Sequence, residues 1–110
     1  MNDDELLNLV TTLVADETQT AAYRVTAKGE IDLQTAPRLA ETLDSLIEQG
    51  AKLVVLEAAE VEFLDSSGLR VIINAGNALH ASGGQLLIEG MSGAVQRVLE
   101  ISGLIEQYRG

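Results

Sequence analysis

Glu62-Phe63-Leu64-Asp65-Ser66-Ser67-Gly68-Leu69-Arg70-Val71-Ile72-Ile73 decides how this chain folds, because an apolar strand pattern ends at Leu64 and a long apolar helix pattern begins at Leu69. A carboxylate and two hydroxyls stand at the switch. Asp and Ser side chains accept hydrogen bonds from the N–H groups that a helix's first turn leaves unpaired, so Asp65 or Ser66 is a natural N-cap. Gly68, lacking a Cβ, lets other backbone approach closely. On its own, Asp-Ser-Ser need do no more than start a helix.

Downstream, Leu69, Ile72, Ile73, Gly76 and Leu79 share one helical face. Val71, Ala75 and Ala78 widen the apolar arc, which predicts the most buried helix of the chain. Gly83-Gly84 ends it, Gln85–Glu89 reads as a strand, and Ser92 caps a final helix with Val95, Val98, Leu99 and Ile101 inward. Upstream, Lys52–Leu56 is the short apolar run of a doubly covered central strand. Before it, Thr35-Ala36-Pro37 opens a helix, with Pro in the first turn and Thr able to cap. Its apolar stripe is Ala36, Leu39, Ala40, Leu43, Leu46 and Ile47, and Gly50 is its left-handed C′ residue. Ala22, Arg24, Thr26 and Lys28 alternate with Tyr23, Val25, Ala27 and Gly29, the period of a strand. Asp16–Thr20 reads as a polar turn. Leu6–Ala15 fits a strand through Val10, Thr11, Thr12 and Val14, and also fits a helical stripe, so both remain open. Strands alternating with helices predict a single α/β domain over 1–110, with a mixed sheet of four or five strands packed with helices.

Composition narrows the function. The formal net charge is −10, with 7 Lys and Arg against 17 Asp and Glu. Such a chain repels phosphate backbones and anionic lipid, and with 3% aromatics and no Trp it has no platform for stacking bases. The absence of cysteine removes disulfide, zinc-thiolate and thiol-nucleophile chemistry. Met1-Asn2-Asp3-Asp4-Glu5 is the opposite of a basic signal-peptide start, so the expected location is the cytoplasm. No cofactor is predicted, since no Gly-rich phosphate loop is present. His80, the one histidine, stands about 21 Å from Ser66 along a continuous helix, too far to be its base. Nothing asks for Asp32 and Asp65 to act as a catalytic dyad, so the chain is expected not to be an enzyme.

The stretch around Ser66 resembles the phosphorylation loop of the STAS-domain family, in its anti-sigma factor antagonist branch. That signature runs apolar-Asp-Ser-Ser/Thr-Gly-Leu. A second family block appears as Gly29-Glu30-Ile31-Asp32-Leu33-Gln34-Thr35-Ala36, and a third as Ala94-Val95-Gln96-Arg97-Val98-Leu99-Glu100-Ile101-Ser102-Gly103-Leu104. The three stand in the family's order, and the resemblance covers roughly Leu7 to Ile105. The resemblance implies a STAS-like fold, here lacking the usual C-terminal helix. It also implies that Ser66 accepts a phosphate, with Ser67 as runner-up. The donor would be an anti-sigma factor that is also a serine kinase of histidine-kinase fold, and a metal-dependent serine phosphatase would remove the phosphate. Asp32, Thr35, Asp65, Ser66, Ser67 and Gly68 would form the partner-binding surface.

A phosphate on Ser66 would sit at the positive end of a helix dipole, so folding would tolerate it. It would add about −1.5 to −2 charge beside Asp65 and disfavour a partner docked there. The resemblance also offers a different role, a constitutive STAS subunit bracing the ATPase of an ABC lipid-transport complex. Such a brace needs neither Ser66 nor Ser67 hydroxyl. The charge makes one prediction whatever the partner: at physiological salt the protein produces no electrophoretic shift of DNA or RNA, because it has no cationic surface to release counterions.

Overall fold

The computed structural model describes residues 6–15 and 21–109. Met1–Glu5 and the turn predicted at Asp16–Thr20 lie outside the described residues. The elements run β1 (Leu7–Ala15), β2 (Ala22–Ile31), α1 (Ala36–Glu48), β3 (Leu53–Leu64), α2 (Ser66–Ala81), β4 (Gln85–Glu89), α3 (Gly93–Ile101) and α4 (Ile105–Tyr108). The sheet has four strands in the order β1-β2-β3-β4. β1 and β2 are antiparallel, while β2, β3 and β4 run parallel. The segment that fitted either element is therefore a strand, and its β-branched residues prevail because β2 offers it a partner along its length.

α1 and α2 pack against each other over one face of the sheet, closing a core that includes Val25, Ala27, Val54, Leu56, Leu86 and Ile88. The alternate residues include the polar Arg24, Thr26, Lys28, Glu57 and Glu89 beside the apolar Leu53, Val55 and Leu87. Arg24 bridges Glu57 at 3.5 Å and Glu89 at 3.0 Å, and Lys28 meets Glu60 at 3.3 Å. For β2 this is the hydrophobic-in, polar-out pattern of a strand covered on one side.

β3 is longer than the Lys52–Leu56 run because its second half loses period two. Thr26 and Lys28 pair with Glu57 and Glu60, and Gly29 and Glu30 pair with Val61 and Phe63. At both places β3 spends one residue more than β2, which is a bulge. Its inward residues Ala58, Val61 and Leu64 consequently fall three apart. Alternation cannot reveal such a strand. The bulges still deliver Leu64 opposite Ile31, so the two parallel strands end level.

The helices depart from expectation in their exposure. α2 buries Gly68, Ile72, Ala75 and Leu79, but Val71 and Ile73 are half-buried and Ala78 is exposed. The shorter α1 buries as many, namely Ala36, Leu39, Leu43 and Leu46, so α2 is not the most buried helix. Two helices side by side on one sheet face each keep an outer flank in water, leaving a stripe where the sequence suggested a wide arc. In α3, Ser92 accepts the Val95 N–H at 3.2 Å and Val95 and Leu99 are buried, but Ile101 is 81% exposed. Two residues beyond Leu99 is about 200° around the helix, so Ile101 points away from the core. Gly50 has φ +91° and closes α1 as predicted. α4 is a single turn that lodges Tyr108 against Gly76 of α2, where burial pushes its phenol pKa up. No longer helix follows among the described residues.

Ile72 is 1% exposed and Ile73 half-buried. Ile72→Ala should lower unfolding stability by about 2–5 kcal/mol and Ile73→Ala by clearly less. Urea denaturation of both variants measures the difference, and equal losses would contradict this packing.

Candidate functional site

Asp65 is the hinge between β3 and α2. Its backbone is extended, with φ −110° and ψ −173°, the geometry of an N-cap. One carboxylate oxygen accepts the N–H groups of Ser67 at 2.9 Å and Gly68 at 3.1 Å. Its own N–H donates to the Ile31 carbonyl at 3.2 Å, and its carbonyl accepts the Leu69 N–H at 3.0 Å. Of the two candidate caps, Asp65 fills the role. Ser66 is left as the first helical residue, exposed, with Ser67 half-buried after it. Neither hydroxyl makes a hydrogen bond among the described residues.

Gly68 is buried, and a Cβ there would lie 2.5 Å from both Ile31 Cγ2 and Leu64 Cδ1. The missing side chain is what lets the first turn of α2 rest on the ends of β2 and β3. Gly68 therefore shapes the surface without being part of it.

The neighbouring loop between β2 and α1 is locked from within. Thr35 is fully buried; its hydroxyl donates to the Glu30 carbonyl at 2.7 Å and accepts the Asp32 N–H at 3.0 Å. It makes no side-chain cap to α1, contrary to the sequence expectation. Its hydroxyl is turned back toward β2, and Pro37 in the first turn has no N–H to satisfy. Asp32 accepts the N–H groups of Gln34 at 2.9 Å and Thr35 at 3.0 Å through one oxygen. Thr35 thus holds Asp32 in place while Asp32 lies nearer the surface.

Because Ile31 and Leu64 are paired, the Asp32 and Asp65 loops lie side by side at the C-terminal ends of parallel strands, where α/β folds place their sites. A shallow groove there is lined by Glu30, Asp32, Leu33, Gln34, Phe63 and Asp65. Leu33 is 77% exposed and Phe63 46% exposed. Sequence reading missed both, and Glu30 with them. For Leu33 the signal was available, since it follows the Asp of its block; Phe63 is turned outward by the bulge beside it, which the sequence does not show. His80 is exposed in the last turn of α2, at the opposite end from Ser66. Among the described residues no group of three or more His, Cys, Asp or Glu is placed to hold a metal.

The sequence profile of the STAS domain matches residues 13–108. The chain belongs to the STAS-domain family. It is similar to the anti-sigma-B factor antagonist of Staphylococcus aureus, 34% identical over 98 residues that span 89% of this chain and 86% of that protein. Against the anti-sigma-B factor antagonist of Bacillus subtilis it is 38% identical over 81 residues, 74% of this chain and 73% of the other. Its fold matches the unphosphorylated form of the anti-sigma factor antagonist SpoIIAA with a TM-score of 0.77 at 21% identity, covering 90% of this chain and 84% of that one. An anti-sigma factor antagonist from Mycobacterium paratuberculosis superposes with a TM-score of 0.73 at 24% identity, covering 93% and 82%. The phosphorylated form of SpoIIAA gives 0.68 at 20% identity, over 89% and 87%.

In this STAS domain the close approach at Gly68 generates a direct test. Gly68→Ala should destabilise by about 1–3 kcal/mol, since the added methyl must push Ile31 or Leu64 aside. Equilibrium unfolding checks it, and a neutral or stabilising Gly68→Ala would show that α2 does not rest on the strand ends.

Proposed function

We propose that this STAS domain is an anti-sigma factor antagonist, a non-enzymatic partner switch of the cytoplasm. Unphosphorylated, it binds an anti-sigma factor that is also a serine kinase of histidine-kinase fold. In the transfer the Ser66 oxygen bonds to the γ-phosphorus of ATP, the bond to the β-phosphate oxygen breaks, ADP leaves, and the hydroxyl proton passes to a base of the kinase. A metal-dependent phosphatase reverses the state by hydrolysis, returning the hydroxyl and releasing inorganic phosphate.

The observation that carries this reading is the exposed Ser66 at the first position of α2, its hydroxyl without a hydrogen bond among the described residues, beside a groove with acidic and apolar walls. Its relatives of more than 30% identity are antagonists by name. Leu33 and Phe63 would supply apolar anchors, while Glu30, Asp32 and Asp65 would face cationic groups of the partner. Asp32, Asp65, Ser66 and Ser67 are the contact residues proposed at the surface, with Thr35 and Gly68 holding them from beneath.

The test is mass spectrometry after incubation with ATP and the anti-sigma-type kinase encoded in the same genome, followed by binding assays. Ser66→Ala should abolish phosphorylation and keep binding. Its stability should change by no more than about 0.5 kcal/mol, because Asp65 makes the cap. Ser66→Asp should stay folded and bind at least about tenfold more weakly, because a charge pressed into the contact without a partner of its own loses its hydration. Phosphate on Ser67 alone would move the site by one residue. No phosphate on either serine, with undiminished binding by Ser66→Asp, would overturn the switch.

A further inference from the structure

We propose that Arg70 clamps the phosphate carried by Ser66, so that phosphorylation adds an anion to this end of α2 and at the same time withdraws its exposed cation. The inference rests on the switch proposed above. Ser66 and Arg70 are both exposed and stand four residues apart in α2, one turn above the other on the same face. Helical side chains lean toward the N-terminus, which puts the turn that starts with Ser66 within reach of the guanidinium. An anion placed N-terminal to a cation at this spacing is the favoured order. The forked donors of Arg also match phosphate oxygens better than a single ammonium does.

Arg70 has no competing employment. Arg24 is held by Glu57 and Glu89, Lys28 by Glu60 and Arg109 by Glu106. Lys52 donates to the Ser82 carbonyl and Arg38 to that of Leu7. Arg70 makes no hydrogen bond or ion pair among the described residues, and its neighbours one turn away are Ser66, Ser67, Ile73 and Asn74, none of them acidic. Arg97 is likewise unpaired among the described residues but stands on α3. Nor does Arg70 serve helix stability, since a cation gains from the dipole only near the C-terminal end. A cation placed where the unmodified helix does not need it acquires a partner when Ser66 is phosphorylated.

The test uses full-length protein with phosphoserine installed at position 66 during synthesis, so that it does not depend on any kinase. The pH dependence of the phosphorus-31 chemical shift gives the second pKa of the phosphate, ordinarily about 6. Arg70 favours the dianion and lowers that pKa. Arg70→Gln should raise it by about 0.2–0.4 pH unit or more, Arg70→Lys by less, and Arg70→Glu by most. The difference between wild type and Arg70→Gln should shrink in high salt. Identical titration curves for wild type, Arg70→Gln and Arg70→Glu would overturn the clamp while leaving the switch intact. Conversely, a kinase reaction that leaves Ser66 unmodified would remove the switch whatever the titrations of the synthetic phosphoprotein show.

Discussion

The hydrogen bond from the Asp65 N–H to the Ile31 carbonyl, together with the cap made by the Asp65 side chain, is the constraint from which the rest of the site follows. It ties the ends of two parallel strands at the point where one of them becomes a helix. A cap of this kind contributes about 1 kcal/mol, modest against the burial of a core side chain. Its importance is geometric. With Ile31 opposite Leu64 and no side chain on Gly68, α2 can begin only here, and the residue after the cap is thrust into solvent. The same bond brings the Asp32 loop beside the Asp65 loop, and without that adjacency there is no groove.

The cap also settles what a phosphate on Ser66 would meet. A bare helix N-terminus offers unpaired N–H groups to an anion. Here the N–H groups of Ser67 and Gly68 already belong to the Asp65 carboxylate, and that of Leu69 to the Asp65 carbonyl. The phosphate would have to look outward for partners. Fold tolerance then follows from exposure more than from attraction by the helix, and the charge is directed to the surface where a partner would dock.

The sequence carried the order of elements because most strands and helices here keep their proper periods. β2 alternates over residues 25–28, and α1 has one stripe bounded by Pro37 and Gly50. It failed where tertiary structure changes the period. The second half of β3 reads as no strand at all, since two bulges space Ala58, Val61 and Leu64 by three. Ile101 was misassigned because a hydrophobic residue at a helix end was counted as inward without regard to its angle from Leu99. At the site, Asp65 as the cap and Gly68 as the close approach were legible from their chemistry. Thr35 was legible as a residue that matters but not as a buried one, because its hydroxyl satisfies a carbonyl, Glu30's, and a loop N–H, Asp32's, that sequence does not show to be near. Leu33 and Phe63 were passed over as surface residues, since an apolar side chain beside a strand is ordinarily counted toward the core.

Those two apolar residues bear on how so acidic a chain could hold any partner. With a net charge of −10, long-range attraction would select a cationic surface, but at physiological salt such attraction fades beyond about 8 Å. Short-range contact must then hold the complex, and on the proposed reading Leu33 and Phe63 supply it at the rim of Asp32 and Asp65. A switch acting on such an interface need not dismantle its apolar contacts. Taking a charge out of water at such a contact without giving it a partner costs several kcal/mol. A phosphate of nearly two charges on Ser66, one helical residue from Asp65, would therefore act at the same scale as the anchors themselves. Reversible binding of this sort requires the two terms to be comparable, and an exposed serine at the margin of a small groove provides that balance where a deeply buried one would not.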